Sequence, residues 1–202
     1  MSVQTAGTAR PRRGTRPLLL DVAAEVLVAD PAASLAEVAE AAGIGRTTLH
    51  KHYATRDDLL RAVGHRAIDL WEQALAEVAD GPDGGLLAII TSMVGVGSQL
   101  GFIWRTPALH RDRALKKRSD AMQEATLAVL RRAADRGVLA SGTPDWWLLD
   151  TFFSLIYVAA ESVADGDLAP NDAPGLVTGT FLRGIGAPAR ALPHLPLGPE
   201  HE

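Results

Sequence analysis

Six polar side chains lie within one stretch of seven residues in the first third of the chain. They are Arg46, Thr47, Thr48, His50, Lys51 and His52. Leu49 and Tyr53 are one helical turn apart, so a helix here turns both inward and leaves the polar side chains outward. Such side chains can contact phosphates and the edges of bases in the major groove of DNA. Arg56 begins the next predicted helix, where its charge and the free backbone N–H groups suit a phosphate.

Three short helices are predicted to position this polar stretch. The first is expected over residues 16–29. Ser34 and Glu37 have the spacing of a capping box, so the second helix begins at Ser34. Gly43 and Gly45 flank a tight turn into the third. Two short helices joined by a glycine-containing turn, with a helix before them, predict a helix-turn-helix that reads DNA. An ordinary helical hairpin has the same kind of turn, so that alternative stays open.

The rest of the chain is also predicted to be helical, because apolar residues recur at intervals of three and four and strand-like alternation is absent. Thr55 and Asp58 are expected to cap a long fourth helix. An uncharged segment, residues 84–104, has about the length of a membrane span. Its glycines and polar residues favour one buried helix from about Leu86 to Phe102 instead. We therefore predict an all-α protein of about nine helices.

Composition and charge exclude several classes of protein. Cysteine is absent, which excludes disulfide scaffolds, thiolate zinc sites and cysteine nucleophiles. Residues 1–66 carry nine Arg or Lys against seven Asp or Glu, and the remainder carries eleven against seventeen. A polyanionic partner would therefore meet the N-terminal part. The first residues hold arginines and no apolar run, which predicts a cytoplasmic protein without a secretory leader or a membrane span.

The segment SLAEVAEAAGIGRTTLHKHYATRDDLLRAV, residues 34–63, resembles the helix-turn-helix of the tetracycline-repressor (TetR) family. The resemblance extends back through the first helix to about Arg12. It implies an all-helical homodimer with an N-terminal DNA-binding head and a larger C-terminal body that binds a ligand and dimerises. It also implies that the six polar residues listed above touch DNA, and that Arg56 stands where a lysine commonly binds phosphate. Gly45 and His50 depart from the family pattern, which often has a serine or threonine cap and a tyrosine there.

The resemblance also divides the chain. We expect a basic flexible arm (1–15), a helix-turn-helix domain (16–62), a ligand-binding and dimerisation domain (63–187) and a disordered, proline-rich tail (188–202). The expected ligand-binding residues are Trp71, Met93, Gln99, Phe102, Met122, Thr126, Phe153 and Tyr157. The expected dimer interface is an isologous four-helix contact formed by Trp147, Leu155, Val158, Val177 and Phe181.

These expectations describe a transcriptional repressor that binds a palindromic double-stranded DNA operator as a homodimer and is released by a small, largely apolar effector. We predict no cofactor, no metal site and no enzymatic activity, because His50 and His52 diverge on a helix and no serine lies in an elbow-like turn. A helical protein-interaction module without DNA binding is one alternative, and a helical enzyme is another. Each aromatic residue above also fits an ordinary core position. Glu161 fits a pocket acid, a dimer contact or a solvated side chain.

Overall fold

The computed structural model describes residues 19–78, 81–107 and 109–185, and within them it forms nine α-helices and no strand. The all-α class predicted from the sequence is confirmed. The expected arm, 1–15, and the expected tail, 188–202, lie outside the described residues. The elements are α1 (Leu19–Ala29), α2 (Leu35–Ala41), α3 (Arg46–His52), α4 (Arg56–Ala76), α5 (Leu86–Val94), α6 (Gly97–Arg105), a 3₁₀ helix (Leu109–Arg111), α7 (Arg113–Asp135), α8 (Asp145–Ala164) and α9 (Ala173–Ile185).

Capping boxes set where α2 and α4 begin. The Ser34 hydroxyl accepts the Glu37 N–H at 3.3 Å, and the Glu37 carboxylate accepts the Ser34 N–H at 2.7 Å. Thr55 and Asp58 repeat this exchange at the start of α4, at 3.0 and 3.1 Å. Both boxes were predicted and are confirmed. Gly43, with φ +64°, follows α2 in the left-handed region where glycine carries the least strain.

The long helix α4 connects the N-terminal helices to the rest of the molecule. Its 21 residues span about 31 Å. In the middle of α4, Arg66 pairs with Asp21 of α1 at 2.9 Å. Further along, the Trp71 indole N–H donates to Thr126 of α7 at 3.1 Å. A shift of this one helix would therefore be felt at both ends of the molecule.

The uncharged segment forms two helices, so the predicted single helix from Leu86 to Phe102 is wrong. The helices α5 and α6 are bent by 73° relative to each other. At the start of α6, Gly97 packs so closely on α8 that an added Cβ would lie 2.7 Å from the Cβ of Ala160. The break lets α5 pack against α9 while α6 packs against α1. A straight helix could not make both contacts.

By length and composition alone, α8 could cross a membrane, with a mean hydropathy of 1.3, and the bent pair α5 and α6 passes the same test together. The apolar side chains of α8 pack instead against α5, α6, α7 and α9. Leu148, Phe152 and Ile156 are each at most 2% exposed. A core helix has the same composition as a membrane span, so these helices are weak evidence for a membrane.

Candidate DNA interface and ligand cavities

The polar face of α3 is open to solvent. All six of its predicted DNA-contacting side chains, Arg46, Thr47, Thr48, His50, Lys51 and His52, are exposed. Leu49 is fully buried and Tyr53 is half-buried, so these two residues anchor the helix as predicted. Gly45 caps α3 without a side-chain hydrogen bond. An anchored helix with hydrogen-bond donors along its exposed face has the chemistry that a major groove requires.

Arg56 makes contacts that sequence reasoning missed. Its Nε donates to the Ala33 carbonyl at 3.1 Å, and its guanidinium also donates to the Pro31 carbonyl. These bonds tie the turn between α1 and α2 to the start of α4. A guanidinium carries more N–H donors than these bonds use, so a phosphate contact by Arg56 stays a prediction.

Four of the expected ligand residues form a packed cluster between α4, α7 and α8. The Trp71 indole N–H donates to the Thr126 hydroxyl at 3.1 Å, and that hydroxyl donates to the Met122 carbonyl at 2.9 Å. The Trp71 ring meets the Phe153 ring edge-on, with centroids 5.2 Å apart. Trp71 and Thr126 are 1% and 0% exposed, so they belong to the protein core.

The other expected ligand residues lie apart from this cluster. Met93 and Phe102 are buried in the core. Gln99 lies in a cleft of about 580 Å³ where α1 faces α6 and α8. The sequence therefore identified apolar positions of the body but did not distinguish the packed core from the walls of a cavity.

A cavity of about 390 Å³ lies between α7 and α8. It is lined by Gln123, Asp150, Phe153, Ser154 and Tyr157. A smaller cavity of about 180 Å³ shares Gln123 and is lined by Ile103 of α6, by Leu109 and His110 of the 3₁₀ helix, and by Leu115, Lys116, Ser119 and Asp120 of α7. The larger cavity has aromatic rings with the Asp150 carboxylate beside them, which suit a small, largely apolar molecule that carries a positive charge.

Phe153 and Tyr157 were expected to contact a ligand, but the polar members of this lining were not. Gln123, Asp120 and Asp150 lie on helices whose polar residues predict a solvated face. Only the approach of α7 to α8 reveals that these side chains border a cavity. Asp120 pairs with Lys116 at 2.6 Å, one turn away. Among the described residues, Asp150 has no ion-pair partner.

On its other side, Tyr157 contacts a polar network at the end of α6. The Arg105 Nη1 atom donates to the Tyr157 hydroxyl at 2.6 Å and to the Glu161 Oε2 atom at 3.2 Å. The Tyr157 hydroxyl donates to the same Glu161 oxygen at 3.2 Å, and the Arg105 guanidinium lies 5.0 Å from the ring centroid. Burial raises the pKa of Tyr157 above its ordinary value, so the hydroxyl stays protonated near neutral pH.

Glu161 lies at the junction between α1 and the body. With Arg105 and Gln99, it lines the cleft that α1 borders. Its Oε1 atom is buried and has no hydrogen-bond partner among the residues that the structure describes. Glu161 is half-buried, pairs with Arg105 at 3.2 Å and lines this cleft, so it is not a freely solvated side chain.

The helices α8 and α9 carry the residues expected at the dimer interface. Trp147 and Val158 are 49% and 58% exposed, and Leu155 is half-buried. Phe181 is 1% exposed, which corrects the expectation that it presents a surface, whereas Val177, although only 3% exposed, lines a groove on the outer side of α8 and α9. The physical reason is that this side of α9 faces the core of the same protomer, where Phe181 meets Phe152 edge-on with centroids 6.0 Å apart.

The outer side of these helices has its own apolar groove. It is bordered by Leu155, Val158, Leu168, Leu176 and Thr180. Leu176 is 57% exposed and was not among the expected interface residues. Within the described ranges, no group of three or more His, Asp or Glu side chains could hold a metal ion.

The sequence model described as "Bacterial regulatory proteins, tetR family" matches residues 19–63. The chain is also similar to the HTH-type transcriptional repressor LfrR of Mycolicibacterium smegmatis. The two are 34% identical over 158 residues, which cover 77% of this chain and 82% of LfrR.

Solved structures show the same fold. The structure of the TetR-like regulator LfrR from Mycobacterium smegmatis in complex with proflavine aligns with a TM-score of 0.69 and 30% identity, over 87% of this chain and 96% of that one. The TetR family regulator PfmR from Thermus thermophilus aligns with a TM-score of 0.63 and 17% identity, over 85% and 99% of the two chains. At that identity the likeness to PfmR concerns the fold alone.

Proposed function

We propose that this chain, which belongs to the TetR family of bacterial regulatory proteins and is a ligand-responsive transcriptional repressor, binds a palindromic operator as a homodimer. The operator is released when a small, largely apolar cation binds in the C-terminal body of the protein. In this proposal the head comprises residues 16–62 and the body residues 63–187. The family match over residues 19–63 supports a boundary inside α4. The relatives are transcriptional regulators rather than enzymes, and we infer the same for this chain, acting in the cytoplasm where its DNA lies.

The observation that carries this proposal is the exposed, donor-rich face of α3 on its buried Leu49 anchor. Arg46 and Lys51 read base edges or phosphates in the major groove, and the flanking Thr47, Thr48, His50 and His52 complete the contact surface. Arg56 holds the start of α4 in place and offers its remaining N–H donors to a phosphate.

The outer side of α8 and α9 is the surface through which we propose that the protein dimerises. A single short recognition helix makes few contacts, and two-fold dimers that read half-sites about 34–36 Å apart supply more. The exposed residues Trp147, Val158 and Leu176 leave apolar area in water that a second copy would cover. Val177 lines the groove of this surface, and Phe181 packs in the core of the protomer.

The ligand site we propose is the pair of cavities that meet at Gln123. Phe153 and Tyr157 offer ring surfaces, and Asp150 offers a carboxylate that no cation neutralises among the described residues. Proflavine, which the LfrR structure contains, is a planar aromatic cation and matches this chemistry. We therefore infer that molecules of this class, small and flat with one positive charge, are effectors.

The experiment begins with duplexes selected from a random library by the wild-type protein. Arg46→Ala and Lys51→Ala should each weaken binding of the selected duplex by about 1–3 kcal/mol. The matched control is Lys117→Ala, which removes an exposed lysine from α7. If the Arg46, Lys51 double variant keeps wild-type affinity and wild-type helicity, α3 does not read DNA and the proposal fails.

The ligand arm uses proflavine as the probe. Its affinity for the protein is measured by fluorescence without DNA, and its effect on the preformed complex is then measured by titration. A planar aromatic cation also stacks between base pairs, so the Asp150→Asn variant serves as the control. If DNA is released because proflavine binds in the protein cavity, the Asp150→Asn variant should release DNA only at a higher proflavine concentration than the wild type. If proflavine acts on the DNA itself, both proteins will release at the same concentration.

A further inference from the structure

Where α6 packs on α8, the contacting residues of α6 are glycines, which have no side chain. An added Cβ on Gly101 would lie 2.5 Å from both Cδ2 and Cε2 of Tyr157, closer than real Cβ contacts. One turn earlier, a Cβ on Gly97 would lie 2.7 Å from the Cβ of Ala160. The Tyr157 ring therefore packs directly on the backbone of α6. A displacement of the ring toward α6 has no intervening side chain to absorb it.

The same ring borders the cavity between α7 and α8. The Tyr157 side chain is thus within reach of a molecule in that cavity, while its ring is also in contact with α6. An aromatic ligand that stacks on Tyr157 or slides past it pushes the ring against Gly101. The contact converts occupancy of the cavity into a force on α6.

At its C-terminal end, α6 faces the head. The last residue of α6, Arg105, is bonded to the Tyr157 hydroxyl at 2.6 Å and to Glu161, and it lines the cleft bordered by Glu25 and Val28 of α1. The helices α1 and α6 also pack against each other. A movement of α6 therefore reaches α1 without passing through α4.

The Glu161 carboxylate leaves this network incompletely satisfied. Its Oε2 atom serves both Arg105 and Tyr157, while its Oε1 atom is buried without a partner among the described residues. A buried acceptor without a donor is unfavourable. The present arrangement is therefore less stable than a fully bonded one would be.

We propose that Tyr157 is the positioning residue that transmits ligand occupancy to the DNA-binding head, through its ring contact with Gly101 and its hydroxyl bonds to Arg105 and Glu161. This rests on the proposed function of the cavity between α7 and α8 as the ligand site. Ligand binding displaces the ring, α6 moves relative to α1, and the head leaves the position that fits its half-site.

Gly101→Ala tests this without any ligand, because the new methyl group presses the Tyr157 ring and α6 apart and so pushes α6 in the same direction as a ring displaced by a ligand would. We expect Gly101→Ala to bind the selected duplex about tenfold more weakly than wild type, within the range typical of coupling between sites. Adding Tyr157→Ala makes room for the methyl group, so the double variant should bind within about threefold of Tyr157→Ala alone. The matched control is Gly175→Ala, since an added Cβ there meets nothing within 4 Å.

Tyr157→Phe provides a second variant that keeps the ring and removes the hydroxyl. At proflavine concentrations that saturate each protein, as measured without DNA, proflavine should weaken the duplex binding of this variant several-fold less than it weakens wild-type binding. Thermal unfolding of each variant shows whether it is folded. If Gly101→Ala is unfolded, the Tyr157→Phe result decides the question alone.

Hydrogen–deuterium exchange separates failure of this proposal from failure of the proposed function. Exchange in α1 should rise in Gly101→Ala and stay unchanged in Gly175→Ala, whether or not the protein binds DNA. Wild-type DNA affinity and unchanged α1 exchange in Gly101→Ala would overturn the proposal while leaving the repressor function intact. If the wild-type protein binds no duplex specifically while hydrogen exchange in α1 still rises in Gly101→Ala, only the proposed repressor function is overturned.

Discussion

Replacing Thr126 by valine removes a buried hydrogen bond between α4 and α7 while nearly preserving the shape of the side chain. Trp71 and Thr126 are 1% and 0% exposed, so water cannot supply the acceptor that the Trp71 indole N–H loses. An unsatisfied buried donor costs about 1–3 kcal/mol, and the added methyl group returns about 0.8 kcal/mol through apolar burial. We expect the free energy of unfolding of Thr126→Val to fall by about 0.2–2 kcal/mol.

A double-mutant cycle isolates this hydrogen bond from the other effects of the substitutions. Trp71→Phe removes the indole N–H, so Thr126→Val should cost almost nothing in that background. Urea unfolding at one fixed protomer concentration provides the measurement, because dimerisation links stability to concentration. If Thr126→Val costs the same in the wild-type and Trp71→Phe backgrounds, the bond between α4 and α7 contributes nothing and the reasoning is refuted.

Two further predictions concern assembly and pH. Val158→Asp combined with Leu176→Asp places charge on the exposed side of α8 and α9. Analytical ultracentrifugation of this double variant should find monomers, which lose operator binding but keep wild-type helicity. A double variant that is still a dimer would place the interface elsewhere. The Ser34 backbone N–H and then its hydroxyl lower the pKa of Glu37 from its ordinary value of 4.5. The carboxylate therefore stabilises the fold fully above that value and loses its effect as pH falls through the folded-state pKa. The difference in melting temperature between wild type and Glu37→Gln should accordingly narrow on acidification, and a constant difference from neutral to acidic pH would contradict this.

The head of this protein could be predicted from the sequence because its signals are local. The capping boxes at Ser34 and Thr55 need partners only three residues away, and Gly43 marks the turn directly. The orientation of α3 followed from the spacing of Leu49 and Tyr53 alone. None of these features depends on how distant helices pack, so the structure confirms each of them.

The body could be predicted only in part because its features depend on contacts between distant helices. Gly95 and Gly97 stand at the break between α5 and α6, but glycines also occur inside continuous helices, and only the approach of Gly97 to α8 decides between the two. An apolar position on α9 fits the core and a dimer surface equally well by type, and only the fold places Phe181 in the core and Leu176 outside. For the same reason, Gln123 and Asp150 could not be distinguished from solvated residues.

Two neighbouring rings on α8 give the cavity two separate routes to the head. Phe153 touches Trp71, which belongs to α4, and Tyr157 touches Gly101, which belongs to α6. Both α4 and α6 pack against α1, so displacement of either ring acts on the same helix of the head. A ligand changes DNA binding only to the extent that its affinity differs between the two head positions, and that difference must come from groups that move. Asp150 is exposed and borders the cavity at its solvent-facing side. If the proposed ligand site is correct, the two rings should therefore determine how strongly a bound molecule switches the protein, and Asp150→Asn should lower its affinity more than it lowers the coupling to DNA binding.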